Sequence, residues 1–134
     1  MRSSSPFRHC ERQGFVDAER VDTEGVLVQR FGQVIRVRTD AIDAYEQLHA
    51  DPWPTVNAAI RRANIRNYSI YRFQDLLFAY FEYTGDDFRA DMARMAADPE
   101  VQRWWALTDA MQDPIPDRPA GDWWLTLTEI FHTD

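Results

Sequence analysis

Lysine is missing from this chain: all 15 basic side chains are arginine. That absence removes Schiff-base catalysis, lysine-anchored pyridoxal phosphate and a phosphate-loop lysine. Cysteine is almost missing too. Cys10 stands alone, which excludes an internal disulfide and a thiolate metal site. The 3 histidines, His9, His49 and His132, lie far apart in sequence and form no HxxxH or HxH pattern, so no zinc site is expected. No EF-hand spacing occurs, and no cofactor is expected. Basic clusters stop at Arg36/Arg38 and Arg61/Arg62 in a chain of net charge -7, which argues against DNA or RNA as a partner. No apolar run approaches the roughly 20 residues that a membrane-spanning helix needs. The opening Met1-Arg2-Ser3-Ser4-Ser5-Pro6 lacks the apolar core of a secretory signal. A cytoplasmic location without membrane partners is the expectation.

What remains is rich in rings. The chain has 134 residues, the size of one ordinary domain. Its 45% hydrophobic and 28% charged residues describe a soluble globular protein, and its 13% aromatic content favours a binding surface or a large-ring core. Tyr45 and His49 are spaced to lie one turn apart on one helix face. Asn67-Tyr68 and Trp104-Trp105 follow. Flat rings stack on the C–H faces of a pyranose, hydroxyls bind its oxygens, and an imidazole moves protons near neutral pH. That combination is the chemistry of a small-sugar pocket.

Residues 1–29 are polar and mixed in charge, and read as a flexible extension before a single domain over 30–134. Phe31–Val37 alternates enough for a first strand. Thr39 or Asp40 is expected to cap a helix carrying Ile42, Tyr45, Leu48 and His49. Asp51-Pro52-Trp53-Pro54 interrupts it, and a second helical segment carries Val56, Ala59, Ile60 and Ala63 until Asn64 closes it in the left-handed region. Tyr68–Phe73 and Leu76–Tyr83 flank a tight spacer, Gln74-Asp75, as an antiparallel hairpin. Gly85-Asp86-Asp87 ends the strand and caps a helix with Phe88, Met92 and Met95 on its apolar stripe, and Asp98-Pro99 opens another with Val101, Trp104, Trp105, Thr108 and Met111. Residues 113–122 read as loop, and Leu125–Phe131 as a last strand. The order strand, helix, strand, strand, helix, strand is the split βαβ or ferredoxin-like plan, an α+β fold with a four-stranded antiparallel sheet. Its helices cover one face only. The aromatic strands on the bare face predict pairing with a second sheet, most simply in a symmetric homodimer.

Several pieces come in order: Tyr45-Glu46-Gln47-Leu48-His49, Trp53-Pro54, Asn67-Tyr68-Ser69-Ile70-Tyr71, Leu76-Leu77-Phe78-Ala79, Gln102-Arg103-Trp104-Trp105 and Glu129-Ile130-Phe131-His132. Together they resemble the L-rhamnose mutarotase family over roughly residues 30 to 132. The resemblance implies the dimeric α/β barrel fold and cofactor-free interconversion of the α and β anomers of L-rhamnose. It places the family's proton donor on His49, its sugar-binding tyrosines on Tyr45 and Tyr68, and its tryptophan pair on Trp104 and Trp105. The longer extension before Phe31, the short spacer at Phe73-Gln74-Asp75 and the stretch Pro114–Trp124 depart from it.

Mutarotation opens the pyranose, turns the aldehyde and closes the ring again, breaking no C–H bond. One proton must reach the ring oxygen and one must leave the anomeric hydroxyl. His49, with an ordinary pKa of about 6.5, suits one of these tasks. His49 is assigned the proton donor's task, and the complementary base is open: a bound water, a tyrosine hydroxyl or a carboxylate. Without the resemblance, His49 reads as a structural or surface histidine and Tyr45 and Tyr68 as core rings. Adjacent tryptophans point about 100° apart on a helix, so one of the pair is expected to be largely core while both touch the pocket. His132 reads as structural, and Trp123-Trp124 as a pocket cap or a terminal anchor. The rival functions are a mutarotase of another 6-deoxy sugar such as L-fucose, a cofactor-free oxygenase, and a non-catalytic binding protein.

Overall fold

The computed structural model describes residues 20–21 and 27–134. Most of the expected N-terminal extension, with His9 and Cys10, lies outside them. The elements run β1 (Arg20–Val21), β2 (Leu27–Val37), α1 (Ile42–Ala50), α2 (Pro54–Arg62), β3 (Ile65–Phe73), β4 (Leu76–Tyr83), α3 (Phe88–Ala96), α4 (Pro99–Met111), β5 (Gln112–Asp113) and β6 (Leu125–Leu127). The main antiparallel sheet has the order β6-β2-β4-β3, the split βαβ plan, and the two-residue strands β1 and β5 extend the β2 edge.

Alternation along β2 sorts the two faces. Phe31, Gln33 and Ile35 stand opposite Phe81, Ala79 and Leu77 on one face, and all six are buried. The helices pack there. Phe31 stacks on Phe81 at 4.7 Å and on Phe88 at 5.0 Å. The other face carries Tyr71, Phe73, Phe78 and Leu127, each more than a third exposed.

Helix boundaries follow local chemistry. Asp98 caps α4 through bonds from the Glu100 and Val101 amides, with Pro99 in the first turn where its missing N–H costs nothing. Asp87 caps α3 by accepting from the Ala90 amide at 3.1 Å. The expected cap at Thr39 or Asp40 does not form. Those residues make a 3₁₀ turn, and the Asp40 carboxylate is drawn back to the Arg38 guanidinium at 3.2 Å. Asn64 closes the α2 turn with φ 63°, and Gln74 turns the β3–β4 hairpin with φ 53°.

Three strand boundaries differ from the sequence expectation. β2 begins at Leu27, because it gains β1 as a partner. β6 ends at Leu127, beyond which the described residues offer no core: Ile130 is 95% and Phe131 77% exposed. β3 starts at Ile65 and contains a β-bulge. Pairing with β4 jumps from Arg66↔Glu82 to Ser69↔Tyr80, three steps against two. The extra residue resets the side-chain phase. Ile65 and, past the bulge, Tyr68 and Ile70 face the helices; unbroken alternation from Ile65 would send Tyr68 to the open face.

Asn67 makes the bulge possible. Its φ is 51°, a region asparagine tolerates and β-branched residues do not, and its amide is held by the Glu82 carboxylate at 3.0 and 3.2 Å. Asn67→Val is expected to cost about 1–2 kcal/mol in denaturant unfolding, while Asn67→Gly stays closer to wild type. Equal stability of the valine variant and wild type would contradict this account of the bulge.

Candidate active site

The helix-covered face encloses a cavity of about 300 Å³, at the small end of ligand sites, which run about 300–1,000 Å³. Its floor is the sheet, through Tyr68 and Ile70; its walls come from α1, α2 and α4; Trp124 closes one side. Tyr45, His49, Tyr68, Trp104 and Trp105 all line it, so three stretches remote in sequence converge. Among the described residues none that lines it carries a carboxylate or a guanidinium. Among the described residues no three His, Cys, Asp or Glu side chains gather as a metal site.

Convergence has a local cause at each residue. Tyr45 and His49 share the inner face of α1, their rings stacked at 4.2 Å and 30°. Helix α1 must stop at Ala50, because Pro52 and Pro54 cannot sit inside it. The chain turns through Trp53, whose ring meets Trp104 edge-on at 5.3 Å; His49 meets the same indole at 5.3 Å and 73°. Trp104 and Trp105 are 7% and 6% exposed. Both are thus core residues, and both still border the cavity, which is larger than one helix stripe. The bulge delivers Tyr68, which stacks on Phe81 at 5.9 Å.

His49 is half-buried, and its Nδ1 lies 2.8 Å from the Tyr45 carbonyl oxygen. A carbonyl only accepts, so Nδ1 carries the hydrogen and the neutral ring leaves a lone pair on Nε2. Burial holds the imidazole below its ordinary pKa, against the Tyr45 carbonyl, which pulls upward. Burial likewise pushes the Tyr45 hydroxyl up to about 12, with Gln112 opposing, and pushes Tyr68 higher still, with Tyr45 adding to the effect.

This cavity sits within a match to the L-rhamnose mutarotase family model over residues 30–133. The chain belongs to the L-rhamnose mutarotase family. It is 30% identical to the L-rhamnose mutarotase of Bacillus subtilis over 111 residues, 80% of this chain and 100% of that one. It is 34% identical to the L-fucose mutarotase of Xanthomonas campestris over 110 residues, 78% and 87% of the two chains. The crystal structure of an L-rhamnose mutarotase from Formosa agariphila superposes with a TM-score of 0.61 at 22% identity, covering 79% of this chain and 99% of that one, and shares the fold.

Within this mutarotase fold, sequence reasoning missed Gln112. It is 8% exposed, lines the cavity and bonds both Tyr45 and Trp123. Following directly on the last turn of α4, it gives no periodic signal. Trp123 and Trp124 were legible only as a cap or an anchor. Trp124 is a cavity wall, 2% exposed, and its indole nitrogen meets no acceptor among the described residues. His132 lies outside the cavity, bonded to Asp134 at 2.8 Å.

The depressed His49 pKa has a definite sign. The folded chain resists protonating this ring, so the associated stability is full above about pH 6.5 and drains as pH falls through the folded value. Imidazole ¹⁵N NMR is expected to show a neutral Nδ1–H ring at pH 7 that titrates below about 6.5. A midpoint above that value, or an Nε2–H ring, would contradict the geometry.

Proposed function

We propose that the protein interconverts the α and β anomers of L-rhamnose by opening and closing the pyranose, with His49 moving the proton and Tyr45, Tyr68, Trp104 and Trp105 holding the sugar. The observation that carries this reading is the half-buried His49, its Nδ1 tied to a backbone carbonyl, in the wall of a small neutral aromatic cavity. A tied Nδ1 leaves Nε2 for the substrate, and the reaction needs only proton transfer. An uncharged lining favours a neutral sugar over a phosphate or a uronate, whose charge would be buried unpaired. The indoles offer apolar surface to the C–H faces and the 6-methyl group. L-Fucose is the second reading, favoured by the relative named for that sugar.

The proposal includes a cytoplasmic homodimer in which residues 30–134 form one domain and two sheets pair through their open faces. Support comes from Tyr71 and Phe73, 66% and 64% exposed beside Phe78 and Leu127, a contiguous apolar surface of the kind that marks interfaces.

NMR saturation exchange tests the reaction. Wild type is expected to accelerate anomer exchange of L-rhamnose, and His49→Ala to lose about 10²–10⁴-fold while still binding sugar. Light scattering on the same sample should give twice the chain mass, and Phe73→Glu with Phe78→Glu half of that. Exchange that survives His49→Ala sinks the assignment of His49; wild type inert toward both L-rhamnose and L-fucose sinks the mutarotase.

A further inference from the structure

We propose that the groove between α2 and the edge strand β3 binds a second sugar unit, so that the protein turns over the reducing end of a disaccharide as well as the free sugar. This rests on the mutarotase reading above and widens its substrate class.

The groove is built by two elements that also wall the cavity. After α2 the chain turns at Asn64 and comes back as β3, the last strand of the main sheet. Along this seam the cavity takes Val56, Asn57 and Ile60 from α2 and Tyr68 and Ile70 from β3. Beyond them an open groove adds Ala58 and Arg61 from α2 and Ile65, Arg66 and Asn67 from β3. Asn57, Ile60 and Tyr68 border both spaces, so cavity and groove are successive stations along one seam. The groove measures about 720 Å³ against about 300 Å³ for the cavity, room for a second ring beside one that fills the cavity.

Helix α1, with His49, borders the cavity and not the groove. A pyranose with C1 at His49 turns the far side of its ring, C3 and C4, away from α1. A glycosidic bond from O3 or O4 then leads past Asn57 and Ile60 into the groove, while O1 stays free for ring opening.

The groove walls hold hydrogen-bond donors that the fold leaves unused. The Asn57 amide and the Arg61 guanidinium bond nothing among the described residues. Arg66 is anchored by Nη1, which donates to the Arg61 and Ile65 carbonyls at 2.8 and 2.9 Å. Its remaining N–H groups have no acceptor among the described residues. The Glu82 carboxylate is already engaged, by Asn67 at 3.0 Å and by Tyr80 at 3.0 Å. Val28, Ala58 and Ile60 put apolar surface between these groups. A glycosyl unit presents both matching features, hydroxyl lone pairs and C–H faces. A simple anion presents acceptors alone and would sit beside the Glu82 carboxylate.

Exchange NMR on reducing disaccharides tests this. The probes are a β-D-glucopyranosyl unit joined to O3 or to O4 of L-rhamnose, with free L-rhamnose beside them. Wild type is expected to speed anomer exchange of at least one disaccharide with a kcat/KM no lower than that for L-rhamnose. Ala58→Trp fills the groove from a residue that does not border the cavity. It should cut kcat/KM for the accepted disaccharide about tenfold or more, while L-rhamnose changes by less than about twofold. Arg61→Ala should raise the disaccharide KM about 2–10-fold with kcat unchanged. It serves if circular dichroism shows Ala58→Trp unfolded. A wild type that works on L-rhamnose and on neither disaccharide overturns this proposal alone. So does disaccharide exchange that neither variant weakens, and so do variants that weaken both sugars equally. Should wild type speed exchange of neither L-rhamnose nor a disaccharide, the L-rhamnose reading falls and takes this one with it.

Discussion

The bond from His49 Nδ1 to the Tyr45 carbonyl, 2.8 Å long, is the contact on which the site depends. It forms within one turn of α1, needs no other element, and decides which ring nitrogen is available. Every other part of the cavity is arranged around a ring whose tautomer is already set. Trp104 packs edge-on against it, Tyr45 stacks on it, and the proline-rich turn after Ala50 prevents the helix from burying it further. Burial then works on a neutral imidazole at little cost, because the only hydrogen it must satisfy is already bonded.

The site is distributed over the chain, and two devices bring its parts together. The Asn67 bulge turns Tyr68 through the sheet to the helix side. The chain after α4 returns along the β2 edge, so that Gln112 and Trp124 border the cavity beside Tyr45 of α1, with Trp123 bonded to Gln112. The open face of the sheet has no such closure among the described residues. Its exposed rings, with Ile130 and Phe131 beyond β6, are surface that a single domain leaves to water.

Periodicity made much of this legible. The α3 and α4 caps, the proline break, the left-handed Asn64 and the hairpin turn were all written in local chemistry, and local chemistry decided them. The face of α1 shared by Tyr45 and His49 followed from a four-residue spacing, and the resemblance then assigned it a purpose. What was not legible was set by tertiary partners. Asp40 fails as a cap because Arg38 competes for its carboxylate. β3 starts early because a bulge hides the alternation of Ile65-Arg66-Asn67. Gln112 carries no pattern, since its role comes from Trp123 and Tyr45, 11 and 67 residues away. Asp91 is similar: a buried carboxylate on an apolar helix face, matched by Tyr83 at 2.5 Å, by Asn64 at 3.0 Å and by Arg94.

The central claim is that the imidazole of His49 works on the anomeric centre of a neutral deoxy sugar seated among indoles. A crystal structure of the chain with L-rhamnose tests it most directly. The account predicts the sugar in this cavity, its anomeric oxygen about 2.6–3.2 Å from His49 Nε2 and its C–H face and methyl group against Trp104 and Trp105. A sugar seated elsewhere, or one whose anomeric oxygen faces away from His49 with no water between them, would contradict it.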